Sequence, residues 1–93
     1  MKELQARWNA FVESNMPRMK DSNQVLKLQH EMEEFAESPT PDEAADMIIV
    51  LMSWAWINGV DLEAEVMRKI DKNEGREWAY NEELGVYKHV RKS

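Results

Sequence analysis

The sequence predicts an all-α fold, four helices organised around a central antiparallel hairpin, and three observations carry that expectation. Val25, Leu28, Met32 and Phe35 recur at steps of three, four and three, which is one face of a helix. Thr40-Pro41-Asp42-Glu43 is a helix start, with a capping hydroxyl, proline at the first helical position and glutamate at the third. Asn58-Gly59 is a helix stop, since a residue pair of this kind takes up the left-handed turn that ends helices.

The elements follow in order. The first helix is expected over residues 3–14 and closes before Pro17, because the residue ahead of a proline is pushed out of helical geometry. The second spans residues 22–37 with Ser22 as its N-cap. The third runs over residues 41–57. From Met47 to Ile57 nearly every residue is apolar, and a helix that is apolar all round needs cover on most sides. A chain of 93 residues supplies too few other helices for that. A homodimer or homotetramer with this helix at the interface is therefore expected. The fourth helix opens at Asp61 and runs to Asn73, with Gly75 as its stop. The tail, residues 78–93, reads as irregular, with Val86-Tyr87 as a short stretch of extended character. No repeat or low-complexity segment interrupts the chain, so a single domain over residues 1–93 is the expectation.

Composition removes several classes of function. There is no cysteine, which excludes disulfides and thiolate metal sites, and the two histidines are far apart in sequence, which argues against a histidine-rich zinc site. The formal net charge of −6 argues against nucleic-acid binding, which depends on cations facing phosphates. It also means that a phosphate ligand needs a cation to meet it. The opening segment MKELQARWNAF lacks the apolar stretch of a signal peptide. The apolar run in the third helix is too short to span a bilayer. A cytoplasmic protein without a membrane partner is expected.

The residues that point to chemistry are acidic. The second and third helices are joined by about three residues, so they should form an antiparallel hairpin. Glu31 and Glu34 precede the tip by one to two turns, and Glu43 and Asp46 follow it by the same margin. Each pair is spaced i, i+3, on one helix face. At roughly 100° per residue, Glu31 and Glu43 border the apolar stripes, Glu34 and Asp46 come one step further round, and Glu33 and Glu37 point toward solvent. No basic residue lies between Glu31 and Asp46. Four clustered carboxylates repel one another, and a hard divalent cation removes that cost; all-oxygen ligation suits Mg²⁺ or Mn²⁺. The competing explanation is local: Glu43 completes a capping box, acids near a helix start suit the helix dipole, and an acidic helix face is usually just solvated.

Two further sets stand out. Lys69, Asn73 and Arg76 fall at spacings of four and three on one face, and lysine and arginine are phosphate binders. On spacing alone, solvated cations near a helix C-terminus, which the dipole favours, explain them better. Trp8 and Phe11, three apart on the first helix, can stack on a nucleotide base, although core packing accounts for the same spacing.

The segments KLQHEMEEFAE (residues 27–37) and PDEAADMIIVL (residues 41–51) resemble the MazG-like all-α nucleoside triphosphate pyrophosphohydrolases, whose hairpin carries E-E-x-x-E followed by E-x-x-D. KIDKNEGREW (residues 69–78) resembles a K-x-x-x-N-x-x-R-x-W stretch of a bacterial and phage branch of that family, in which a tail similar to ELGVYKHV (residues 83–90) follows. The resemblance covers about residues 8–90, in order. A literal E-E-x-x-E lies at Glu33, Glu34 and Glu37, but anchoring on Lys27-Leu28 places the family's three positions at His30, Glu31 and Glu34. This second register agrees with the facing argument and makes His30 a departure from the pattern.

The resemblance implies a MazG-like four-helix bundle completed by oligomerisation. It implies a Mg²⁺ cofactor, replaceable by Mn²⁺, held by Glu31, Glu34, Glu43 and Asp46. The implied reaction is hydrolysis of a nucleoside triphosphate to monophosphate and pyrophosphate by water, with Glu34 and Lys69 as catalytic groups. Lys69, Asn73 and Arg76 are implied to hold the phosphates, and Trp8 and Phe11 are the candidates for the base. Two other readings of the same residues stay open: a helical oligomerisation or adaptor module with solvated acids, and a family member that binds nucleotides without cleaving them.

Overall fold

The computed structural model describes residues 1–91. The expected tail reached Ser93, and its last two positions lie outside the described residues. The elements are α1 (Lys2–Asn15), a 3₁₀ turn (Met19–Asp21), α2 (Gln24–Glu37), α3 (Pro41–Asn58), α4 (Leu62–Glu74), β1 (Trp78–Asn81) and β2 (Val86–His89). All four expected helices are present. The chain forms two compact units, Met1–Leu62 and a second that begins at Glu63.

In the first unit, α2 and α3 pack against each other as a hairpin closed by residues 38–40, and α1 packs on α3. α3 starts where its sequence says it should. The Thr40 hydroxyl accepts the Glu43 backbone N–H at 3.2 Å, and Pro41 takes the first helical position, where no N–H is needed. It ends on Gly59 at φ 64°, and the N–H of Val60 donates to the Ala55 carbonyl at 2.9 Å. A side chain at Gly59 would sit in a strained left-handed conformation, which is why glycine ends this helix.

α2 differs in its first residue. Asn23, not Ser22, is the N-cap: its side-chain oxygen accepts the Leu26 N–H at 3.0 Å. The Ser22 hydroxyl is already committed to the Met19 carbonyl, closing the 3₁₀ turn that intervenes between α1 and α2. A serine hydroxyl serves a local turn as readily as a helix end, and here the turn takes it.

The buried apolar side chains of this unit are Val12, Met19, Val50, Met52 and Ala55. α3 supplies three of them, consistent with its apolar sequence. Ser53, only 2% exposed, ties α1 to α3: its Oγ accepts the Trp8 indole N–H at 2.9 Å and donates to the Ile49 carbonyl at 2.9 Å. A buried hydroxyl is tolerated because both of its hydrogen-bonding roles are filled. α1 and α2 cover only part of α3, and Ile48 and Trp54 stay exposed at 44% and 39%. No single helix among the described residues is long and apolar enough to cross a membrane.

The second unit contains α4 and an antiparallel hairpin in which Trp78 pairs with His89, Ala79 with Lys88, Tyr80 with Tyr87 and Asn81 with Val86. This corrects the expected irregular tail. Each strand is four residues long, too short for an alternating pattern to stand out. What holds the strands is visible only after pairing: Tyr80 and Tyr87 meet edge to face at 5.3 Å, and Trp78 and His89 do so at 6.1 Å. The turn is built by Asn81, whose side chain accepts the Leu84 N–H at 2.9 Å and whose carbonyl accepts the N–H of Gly85 at 2.8 Å. Gly85 sits at φ 66°, the second position that requires a glycine-like backbone.

Candidate metal centre and nucleotide site

The hairpin brings three of the four predicted metal ligands together. Glu31 on α2 and Glu43 and Asp46 on α3 each offer a carboxylate oxygen, and these oxygens lie within 4.8 Å of one another. The i, i+3 spacing places Glu43 and Asp46 on one face of α3, and the short connection sets Glu31 opposite them. Glu31 is buried and the other two are half-buried.

Glu34 does not join this group. It is exposed, yet close enough to act electrostatically on both Glu31 and Glu43. The i, i+3 spacing keeps Glu34 beside Glu31 on α2, at the exposed rim of the group.

Electrostatics distinguishes Glu31 and Glu43 from a solvated acidic face. Glu43 is pushed above the ordinary glutamate value of 4.5, first by burial and then by the charges of Glu34, Asp46, Glu31 and Asp42. Glu31 is held below that value by the Lys27 ammonium at 2.8 Å, with burial opposing. One oxygen on each side chain, Glu31 Oε2 and Glu43 Oε2, is buried with no hydrogen-bond partner. Orphaned buried carboxylate oxygens are costly, and structures retain them where something else satisfies them.

The capping explanation of Glu43 fails at the same place. The Thr40 hydroxyl accepts the Glu43 N–H, but the reciprocal bond, from the Thr40 N–H to the Glu43 carboxylate, is not made. The Glu43 side chain turns to the other acids instead. Three converging oxygen donors with unpartnered atoms fit a hard divalent cation of the Mg²⁺ or Mn²⁺ type.

The second unit gathers cations. Asn73 and Arg76 are half-buried; Arg76 donates to the Asn73 side-chain oxygen at 3.4 Å, and the Trp78 indole N–H holds the Asn73 carbonyl at 2.9 Å. Lys69 is exposed. Arg76, His89 at the end of β2 and Arg91 just beyond it line a cavity of about 370 Å³ together with Glu77. His89 is pushed below its ordinary value of 6.5 by Arg76 first, then by burial, Arg91, Lys72 and Lys69. Lys69, Lys72, Arg76 and Arg91 form no ion pair among the described residues. Sequence reasoning found Lys69, Asn73 and Arg76 but missed Lys72, His89 and Arg91. Lys72 continues the same helix face at i+3, a readable signal. His89 and Arg91 depend on the hairpin and had none.

The net charge is unevenly divided. Residues 1–62 hold eleven acids and five bases, whereas residues 63–93 hold seven of each. The acidity resides entirely in the unit that carries the carboxylate cluster.

Trp8 and Phe11 stack on each other, with centroids 5.3 Å apart and planes at 20°. Both line an apolar groove of about 550 Å³ between α1 and α3, with Ile48 and Met52 on the far wall. Trp8 is half-buried and held by Ser53, so Phe11, 46% exposed, is the freer ring.

No protein-family model matches the sequence, and no curated protein does either. Among solved structures, the chain is similar to a MazG-like pyrophosphohydrolase of cyanophage S-2L, bound to dGDP and three catalytic Mn²⁺ ions per active site. The two are 30% identical in sequence, the match covers 99% of this chain and 94% of that one, and the TM-score is 0.77. Likeness of fold and sequence over the full length of both chains means that this protein belongs to the MazG-like pyrophosphohydrolase family.

Proposed function

We propose that the protein is a divalent-metal-dependent nucleoside triphosphate pyrophosphohydrolase that releases pyrophosphate and a nucleoside monophosphate. The observation that carries this reading is the convergence of Glu31, Glu43 and Asp46 within 4.8 Å, with two buried carboxylate oxygens left unpartnered. Membership of the family supports it, as do the nucleotide and Mn²⁺ ions bound by the cyanophage protein.

In this reading Glu31, Glu43 and Asp46 hold the cation, with Glu34 available at their edge. When bound, the cation offsets the charge of the phosphates and polarises the phosphorus under attack. Glu34, exposed and outside the tight group, takes a proton from the attacking water. That water forms a bond to the α-phosphorus as the bond to the bridging oxygen breaks, and pyrophosphate leaves. Lys69 and Arg76 bind the phosphates and stabilise charge on the departing pyrophosphate. Asn73, fixed by the Trp78 indole and by Arg76, orients the guanidinium. The chain has no cysteine, and neither histidine belongs to the acid cluster, which favours direct attack by water over a covalent intermediate.

The Trp8–Phe11 stack offers a surface for the base. Self-association as a homodimer or homotetramer belongs to the same proposal. Leu4, Ile48 and Trp54 on α1 and α3 are exposed, and a second copy that covers them completes the partly covered α3.

A screen of ribo- and deoxyribonucleoside triphosphates for pyrophosphate release tests the reading. Release is expected with Mg²⁺ or Mn²⁺ and none after chelation. Binding without turnover for every triphosphate would mean a nucleotide-binding member instead. No binding and no turnover would leave a helical module.

A further inference from the structure

We infer that Lys27 is a built-in counter-ion of the carboxylate cluster, which a divalent cation must displace in order to bind fully. The inference rests on the metal-site reading above and adds a control on its occupancy. Lys27 Nζ lies 2.8 Å from Glu31 Oε1. The lysine side chain is 57% exposed and the glutamate side chain 7%, so the carboxylate is fixed and the lysine reaches to it from solvent. Lysine four residues before glutamate is the weaker of the two orders on an isolated helix. Local helix preference therefore does not account for the pair; the pull comes from the cluster. Glu34 and Asp46 act on the same ammonium as Glu31 does.

The compensation is incomplete by design of charge. One ammonium faces Glu31, Glu34 and Asp46, with Glu43 in the same cluster beyond its reach, and only one oxygen of Glu31 is taken, while Glu31 Oε2 and Glu43 Oε2 have no partner. A monovalent group on a flexible stem holds the acids together without a metal, yet it yields to a divalent ion that engages several oxygens at once. Lys27 thus sets the concentration at which the site fills and keeps the hairpin folded below that concentration.

The test uses Mn²⁺ alone, without nucleotide, on the full chain. Isothermal titration of Lys27→Met and Lys27→Gln should give Mn²⁺ affinity about tenfold tighter than wild type, because a competing charge a few ångströms away is gone. Lys27→Arg, which keeps the charge, should stay near wild type. Without metal, the neutral variants should melt at lower temperature than wild type; with saturating Mn²⁺ the melting temperatures should converge. A variant that folds only when Mn²⁺ is added is the extreme form of the same result. Unchanged or weaker affinity in both neutral variants, with wild type still binding Mn²⁺, would overturn the role of Lys27 alone. A wild-type chain that binds no divalent ion would overturn the metal site itself and this inference with it.

Discussion

Glu43→Gln is expected to lower metal-dependent pyrophosphate release by a factor on the order of 10²–10³, while the metal-free chain becomes no less stable, and at neutral pH more so. The two effects have opposite signs for one reason. The Glu43 carboxylate is half-buried, has an unpartnered buried oxygen and is pushed up by burial and by Glu34, Asp46, Glu31 and Asp42. A neutral amide of the same shape relieves that repulsion, so folding gains. The same change removes a negative oxygen donor from the group formed with Glu31 and Asp46, so a hard cation is held less well. Glutamine also serves the third position of a capping box as glutamate does. A Glu43 that merely caps α3 would therefore tolerate the change with no effect on any activity. Steady-state kinetics with Mg²⁺, read beside a melting curve taken without it, separates these outcomes. Lost activity with lost folding would point to structural damage instead.

The second large effect is a metal-dependent change in the response of stability to pH. Glu43 titrates above 4.5 in the folded chain, so its stabilising contribution is complete below 4.5 and is lost as pH rises through its raised folded value. Glu31 has the opposite shift. Its contribution is complete above 4.5 and is lost as pH falls through its lowered folded value. Together these two groups give the metal-free chain greatest stability near 4.5, with a decline toward neutral pH set by Glu43. Saturating Mg²⁺ should remove that decline, since the ion binds ionised carboxylates and its stabilisation grows as they lose their protons. At a concentration of about 100 Kd the gain is about 2.7 kcal/mol. Thermal melts followed by circular dichroism from pH 4 to 8, with and without Mg²⁺, check this. Superimposable profiles would mean that no ion relieves the cluster.

The hairpin and its acids were legible in the sequence because their signals are local. Thr40-Pro41 and Asn58-Gly59 mark the ends of α3 by backbone chemistry, and the 3, 4, 3 spacing of Val25, Leu28, Met32 and Phe35 fixes the face of α2. Those two facts suffice to set Glu31 against Glu43 and Asp46. At Glu34 the same logic does not tell a side chain at the rim from one inside the cluster. It also missed the Lys27–Glu31 pair, which a helix-pairing rule ranks as weak and which the surrounding acids make strong.

What was not legible depends on contacts distant from local pattern. The strands at 78–81 and 86–89 are held by Tyr80 against Tyr87 and Trp78 against His89, and neither partner announces the other in sequence. His89 and Arg91 join Arg76 only because that hairpin forms. Ser22 and Asn23 are both good capping residues, and the choice between them was made by a 3₁₀ turn whose existence no periodicity reveals. The resemblance of residues 69–90 to a phage and bacterial branch singles out that stretch of chain without supplying its shape.

The metal centre stands or falls with a cation seated among the three converging carboxylates. Crystals grown with Mn²⁺ and measured at the manganese absorption edge should show an anomalous peak bounded by carboxylate oxygens of Glu31, Glu43 and Asp46, with Lys27 Nζ withdrawn from Glu31. Manganese bound elsewhere, or these three carboxylates unchanged with Lys27 still seated at saturating Mn²⁺, would contradict it.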